Sequence, residues 1–529
     1  MEFGAFHTLH DLMVIKIIGV YGLAVDQTLD IRDLLMRFDE YRQYDALGLA
    51  ELVRTKEVHP RELLALAMDR ADAINPQITA MMRRLDKRAQ ERCSQAFDEQ
   101  QPFAGVPFIV KDLFQDIRGI PTSNGCLPLN KIPAQESSDV VTRWERAGLV
   151  IFGTSKTPEF GARNVTESLA FGPARNPWDI SRTPGGSSGG SASLVAAGVV
   201  PVAGASDGGG SIRIPAAACG LFGLKAGRGR ISMGPAMAEG MFGAAVHGVV
   251  SRSVRDTAAM LDVLQGPHGH APYWMPAPGQ SYLSALTDRP GKLSIGYCSE
   301  SPVGAPVDPE AEASMQDAVQ LLRDLGHEVV PTGQPIDGKA LSQDFLLTWF
   351  SMMAHIASFL KSQYDIPVSA MEPDTRSMVS IGQTISAVEL LDCLHRWNDY
   401  SLHLTQYFQR YDLWLSPVLN GPPKKLGELD TPRSLQIVSQ VMAILGLSGR
   451  IRKTPQFETS ILKNLAWTPY TQLANLTGRP AMSVPLYWTA QGLPMGVQFV
   501  APLNGERCLL QLAAQLEQAR PWFQRLPNL

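Results

Sequence analysis

Apolar residues along this chain follow two periods, one helical and one extended, and they alternate for most of its length. From about Tyr44, Leu49, Leu52 and Val53 recur at helical spacing. His59-Pro60-Arg61-Glu62 opens the next helix with proline at a first-turn position, and Asn75-Pro76 is expected to close it. Gly105-Val106-Pro107-Phe108-Ile109-Val110 reads as a short buried strand that runs into Lys111-Asp112. Apolar runs at residues 149–152, 199–205, 221–224, 293–297, 412–415, 482–485 and 497–500 read as further strands. Residues 308–325 and 506–519 read as helices between them. Strands alternating with helices predict an α/β layered fold.

Two stretches depart from this rhythm. Residues 273–292 are rich in Pro and Gly and read as a long surface connection. Residues 340–465 are helical and rich in aromatics and Met, and read as a cap or insertion on the same domain. There is no internal repeat and no low-complexity linker.

The beginning of the chain stays open. Residues 12–25 are apolar but broken by Lys16, and the run is too short to span a bilayer as a helix. Glu2 and Asp11 stand where a secretory signal carries basic residues, although Gly22-Leu23-Ala24 would pass as a cleavage site. Residues 1–43 are therefore an extension, a targeting segment or the product of a start set upstream of Met36. A cytoplasmic protein is expected, with export as the alternative.

Composition narrows the class. Of the 529 residues, 45% are hydrophobic and 19% charged, which supports a core and excludes global disorder. A net charge of −4 gives no electrostatic footprint for nucleic acid or for an anionic membrane. The six cysteines, Cys93, Cys126, Cys219, Cys298, Cys393 and Cys508, form no Cys-x-x-Cys pair, so they read as reduced structural thiols. His268-Gly269-His270 lacks a third ligand, and no cofactor motif is present. Neither a metal nor a cofactor is expected.

Chemistry concentrates in two Gly/Ser clusters: Thr183-Pro184-Gly185-Gly186-Ser187-Ser188-Gly189-Gly190-Ser191, and Ala205-Ser206-Asp207-Gly208-Gly209-Gly210-Ser211-Ile212-Arg213-Ile214-Pro215. A flexible linker would not be followed at once by Ile212 and Ile214, nor enclose a patterned core strand. Gly208, Gly209 and Gly210 allow successive backbone N–H groups to converge on one point and hold an oxyanion. Ser211, directly after them, is placed to attack the carbon whose oxygen sits there. Gly186-Ser187-Ser188-Gly189-Gly190 fits the Gly-x-Ser-x-Gly elbow, but Arg182-Thr183-Pro184-Gly185 is not the strand that an elbow needs. None of the ten histidines lies in a motif that marks it as a base, and each reads as surface or satisfied core. A buried, neutral lysine can take that role, and Lys111 at a strand end is a candidate.

These motifs resemble the amidase signature family. Gly185-Gly186-Ser187-Ser188-Gly189-Gly190, Gly209-Gly210-Ser211-Ile212-Arg213-Ile214-Pro215 and Val110-Lys111-Asp112 match it in order, and the spacing of 24 between Ser187 and Ser211 is the family's. The likeness extends from about residue 44 to 526, through Gly153-Thr154-Ser155-Lys156, Cys219-Gly220-Leu221-Phe222-Gly223 and Asn475-Leu476-Thr477-Gly478-Arg479-Pro480. It implies one large twisted mixed β-sheet flanked by α-helices on both faces, spanning residues 44–529, with a signature core at about 105–235 and a variable helical substrate wall at about 340–465. It implies Ser211 as nucleophile, Ser187 as bridging serine after a cis Gly186–Ser187 bond, and Lys111 as base. The oxyanion donors would be the N–H groups of Gly208, Gly209, Gly210 and Ser211. Trp349 and Met353, in a stretch that also holds Phe350, Met352 and Phe359, would line an apolar acyl pocket, with ordinary core packing as the alternative.

Two departures stand out. Gly208 replaces the Thr or Ile of many members, and Ala226-Gly227 replace a Pro-Thr pair. Arg230-Ile231-Ser232-Met233-Gly234-Pro235 and Ser251-Arg252-Ser253-Val254-Arg255-Asp256 resemble the branch that holds 6-aminohexanoate cyclic-dimer hydrolase. The resemblance implies an amidase on small linear or cyclic carboxamides, with a homodimer allowed and no membrane partner. The ammonia-releasing subunit of a glutamyl-tRNA amidotransferase, a membrane-bound fatty amide hydrolase and a non-catalytic binding protein of the same fold are the rival readings.

Overall fold

The computed structural model describes residues 36–529 apart from 274 and 453; the apolar run at residues 12–25 lies outside the described residues. Residues Phe38–Leu529 form one unit. It begins before Tyr44, because the helix Phe38–Tyr41 packs into it: Tyr41 is buried and its hydroxyl donates to the Val199 carbonyl.

The strands, in chain order, are β1 (Met81–Arg84), β2 (Pro107–Lys111), β3 (Val150–Ser155), β4 (Glu167–Ser168), β5 (Gly172–Pro173), β6 (Val202–Asp207) and β7 (Phe222–Lys225). They continue with β8 (Val246–Ser251), β9 (Ser294–Tyr297), β10 (Glu328–Pro331), β11 (Leu413–Pro417), β12 (Ala481–Trp488) and β13 (Pro494–Val500). Eleven of them build one mixed sheet flanked by helices, in the order β1-β3-β2-β6-β8-β7-β12-β13-β11-β9-β10, while β4 and β5 pair separately. β2 runs parallel to both β3 and β6, so the carboxyl ends of these three strands meet at one edge. In sheets of this kind that edge is where ligands bind.

Three strands of the large sheet escaped the periodicity, as did the short pair β4 and β5. β1 is a short edge strand, mostly half-exposed, with no alternation. β8 is wholly buried but carries His247 and Gly248, which interrupt an apolar run. β10 pairs only with β9 at the far edge. The helix Pro60–Ile78 does not close at Asn75-Pro76; it carries Pro76 in its last turn and ends at Thr79. Asn75 explains the stop, since its side-chain oxygen accepts from the N–H groups of Ala80 and Met81 and feeds the chain into β1.

The stretch 340–465 is not simply a cap. It holds the long helices Gly338–Tyr364 and Ala387–Tyr407, but it also contributes β11, fully buried between β13 and β9. Among the described residues no helix is long and apolar enough to cross a membrane.

Candidate active site

Lys111 is the last residue of β2 and is fully buried. As the last residue of the strand it lies at the carboxyl edge of the sheet. There Nζ donates to Ser187 Oγ at 2.8 Å and to Ser206 Oγ at 3.0 Å. Its backbone is fixed by Gln115, whose side chain accepts from the Lys111 N–H and donates to the Ala205 carbonyl. Burial disfavours the ammonium and brings the Lys111 pKa down to about 7, with the nearby Asp207 charge opposing the shift.

Ser187 follows a cis Gly186–Ser187 peptide bond. Ser188 sits at the start of the helix Gly189–Ala196, whose residues are all buried. The Ser188 hydroxyl donates to the Ser206 carbonyl and accepts from the Ser206 N–H, which ties this turn to β6. The Ser188 N–H donates to the Ser211 carbonyl at 3.3 Å, which joins the two Gly/Ser clusters directly. Among the described residues no hydrogen bond joins the Ser187 and Ser211 hydroxyls, but both border the same cavity.

The turn that carries Ser211 is anchored from below. Asp207, the last residue of β6, accepts from the N–H groups of Gly210 at 2.7 Å and Ile212 at 3.2 Å. It also accepts from Arg213 Nε and Nη2, both at 2.9 Å, and from Asn475 Nδ2 at 2.8 Å. Burial opposes its ionisation, yet the Arg213 guanidinium, its hydrogen bonds and Lys225 hold the carboxyl far below the usual range. Arg213 is fully buried as well, and reaches the Thr471 carbonyl, Gln498 and Asn475. Residues far downstream in the chain thus fix the serine loop.

That anchoring corrects the expected oxyanion donors. The Gly210 N–H is used by Asp207 and is not available to a ligand. Gly208, Gly209 and Ser211 have no protein acceptor for their N–H groups among the described residues. The glycines differ in necessity. A Cβ on Gly209 would lie 2.5 Å from the Phe345 ring, and one on Gly210, at φ +128°, would lie 2.3 Å from Thr471 Oγ1. A Cβ on Gly208 would meet nothing closer than Trp349 at 3.5 Å, ordinary contact, so this position tolerates a side chain and its glycine leaves the Trp349 ring unpressed.

Two cavities meet at Ser211. One, of about 420 Å³, is walled by Gly209, Ile214, Phe345, Val438 and Met442. The other, of about 740 Å³, is walled by Ser187, Ser206, Gly208, His247 and Met353. Gly161, Ser211 and Trp349 border both. Trp349 and Met353 therefore do face cavities, although Met353 is also buried in an apolar cluster with Phe160 and Leu360.

Sequence reasoning missed four residues of this site. Ser206 carries no motif signal apart from its place before Asp207. The Asp207–Arg213 pair was visible as two charges in a Gly-rich, apolar stretch, which is itself a sign of a buried ion pair. His247 pairs with Ser206 across β6 and β8 and is 1% exposed. Its Nδ1 has no partner among the described residues, so it is neither a surface nor a satisfied core histidine. Burial, reinforced by the Lys111 charge, brings its pKa down to about 4 and keeps the ring neutral.

The fold and the relatives of this chain define a hydrolase of amide C–N bonds. The chain belongs to the amidase family, whose profile matches residues 62–510. It is 34% identical over 495 residues to a 6-aminohexanoate-cyclic-dimer hydrolase from Pseudomonas sp. (strain NK87), covering 92% of this chain and 96% of the relative. It is 34% identical over 489 residues to a lipoamidase from Enterococcus faecalis, covering 90% of this chain and 63% of that one. A solved 6-aminohexanoate cyclic dimer hydrolase superposes with a TM-score of 0.82 at 32% identity, over 92% of this chain and 99% of its own.

Proposed function

We propose that the protein hydrolyses small linear or cyclic carboxamides through an acyl-enzyme on Ser211, with Ser187 relaying protons to and from Lys111. The observation that carries this reading is the buried Lys111 Nζ, 2.8 Å from Ser187 Oγ and poised near neutrality, at the edge of a cavity that also reaches Ser211.

The neutral lysine has a lone pair, so the contact with Ser187 can run with the serine hydroxyl donating. Ser211 Oγ attacks the carbonyl carbon, its proton passes to Ser187 Oγ, and the Ser187 proton passes to Lys111 Nζ. The carbonyl oxygen becomes an oxyanion held by the N–H groups of Gly208, Gly209 and Ser211. The C–N bond then breaks as Ser187 gives a proton to the departing nitrogen and recovers one from Lys111. Water repeats the sequence on the ester and releases the acid. Ser188 is tied to the Ser206 backbone and shapes the turn.

The relatives support the substrate class: their names describe hydrolysis of a cyclic amide dimer and of a lipoyl amide. The test is mass spectrometry of enzyme quenched during turnover of an activated amide. An acyl group on Ser211 is the expected result, and one on Ser188 refutes the assignment.

A further inference from the structure

The two cavities meet at Ser211, and the groups bonded to Lys111 border only one of them. Ser187 and Ser206, the two serines bonded to Lys111, border the larger cavity and not the smaller one. The smaller cavity is lined mainly by apolar side chains, among them Ile214, Phe345, Leu346, Val438 and Met442, with Arg163, Asn164 and Asp374 also on its wall. Gly208 faces the larger cavity and Gly209 the smaller, so the oxyanion position falls on the boundary between them.

We infer that the cavities divide the substrate, with the acyl chain in the smaller apolar cavity and the amine half in the larger one, and that the preferred substrates are N-substituted amides of apolar acids. This rests on the roles assigned to Ser211, Ser187 and Lys111 above. The reason is the destination of the proton. When the C–N bond breaks, the nitrogen must take a proton from Ser187, so the nitrogen stands on the side that Ser187 faces. The carbonyl carbon is bonded to Ser211 at the boundary and its oxygen is held between Gly208 and Gly209. The remaining substituent, the acyl chain, is left with the other side.

Size sets the substrate class. An unsubstituted NH₂ would leave nearly all of a 740 Å³ space unused, whereas an alkyl or aryl group on nitrogen would meet Leu129, Phe160, Met352, Met353 and Ile356. The 420 Å³ space beside Ile214 and Phe345 suits a flexible apolar acyl chain. Met353 then belongs to the amine side and not to the acyl wall expected from sequence, while Trp349 touches both halves.

The experiment is a two-way panel: acetyl, butyryl, hexanoyl and octanoyl acids, each as the primary amide, the N-butyl amide and the anilide. For the wild-type enzyme, kcat/KM should rise about fourfold per buried methylene on the acyl side, and N-substituted amides should exceed the primary amide of the same acid. Met442→Trp should compress the acyl ranking at least tenfold and leave the amine ranking in place. Ile356→Trp should compress the amine ranking and leave the acyl ranking in place. Primary amides outperforming their N-butyl counterparts in the wild type would overturn the substrate class, and this measurement needs no variant to fold. Rankings that move the opposite way, or that move in neither variant, would overturn the partition. If Ser211→Ala is inactive in that case, the catalytic roles stand without it; turnover by Ser211→Ala would overturn both.

Discussion

Every nitrogen of the buried Arg213 guanidinium has a hydrogen-bond partner, whereas the helix Arg433–Ile444, which walls the acyl-side cavity, has no buried residue at all. The first region is held by directional, fully satisfied polar contacts that join β6 to Asn475 and Gln498. Such a network is costly to disturb, because any one missing partner leaves a buried charge unpaired. The second region leaves Ile437, Val441 and Ile444 in solvent, and Ile444 is 85% exposed. Its inner surface meets the cavity through Leu435, Val438 and Met442, with a single side-chain hydrogen bond among the described residues, from Gln436 to Asp374. Chemistry here is placed by polar geometry that allows one arrangement, and selectivity by apolar walls that allow several.

The contrast can be broken most decisively at Ser211. Ser211→Ala should lower kcat by on the order of 10⁴ or more. Its unfolding free energy should move by less than about 0.5 kcal/mol, since the hydroxyl holds no other element in place. A stable variant that keeps its activity would remove the core from its assigned role.

Lys111→Arg should lower kcat about a thousandfold, because arginine cannot deprotonate at working pH; more than about a tenth of wild-type kcat would refute the base role. The wild-type pH profile tests the same group without mutation. The active form is the neutral amine and its pKa is brought down to about 7, so kcat/KM should climb as pH rises through about 7 and level off above it. A profile flat from about pH 6 to 8 would contradict this.

Asp207→Asn should destabilise the fold by about 3 kcal/mol or more, by leaving the Arg213 charge buried without its counter-ion. Denaturant unfolding measures it, and a loss under about 1 kcal/mol would show that the network does not constrain the serine loop. On the other side of the comparison, Trp349→Ala should change the ranking of substrates by about 1–3 kcal/mol in relative kcat/KM while sparing turnover of a small activated acyl donor. Stability loss with a fixed ranking would make Trp349 a core residue. Ile444→Ser, the mildest change, should alter stability and kcat/KM by less than about 0.5 kcal/mol each.

How much of this was legible before the fold was seen differs residue by residue. Ser211 could be named from the glycine run before it and Lys111 only as a candidate, a lysine closing an apolar strand, whereas Ser187 and the base role of Lys111 came from the family resemblance. β8 was not legible, since His247 and Gly248 break its apolar pattern and only the flanking β6 and β7 make a strand of it. Pro76 misled because its missing N–H costs the helix one bond near the end, and the helix nevertheless runs on to Ile78.

Local chemistry was written along the chain: alternation and glycine placement depend on neighbours within a few positions, and those neighbours stand in order in the sequence. Which groups meet was settled by the folded arrangement. It set Asp207 against the Gly210 N–H and so withdrew that donor, brought Asn475 and Gln498 under the serine loop, and buried His247 beside Lys111. It put Met353 on the same cavity as Ser187 and Phe345 on the other. These are contacts between residues far apart in sequence, fixed by sheet order and burial, and no local pattern encodes them.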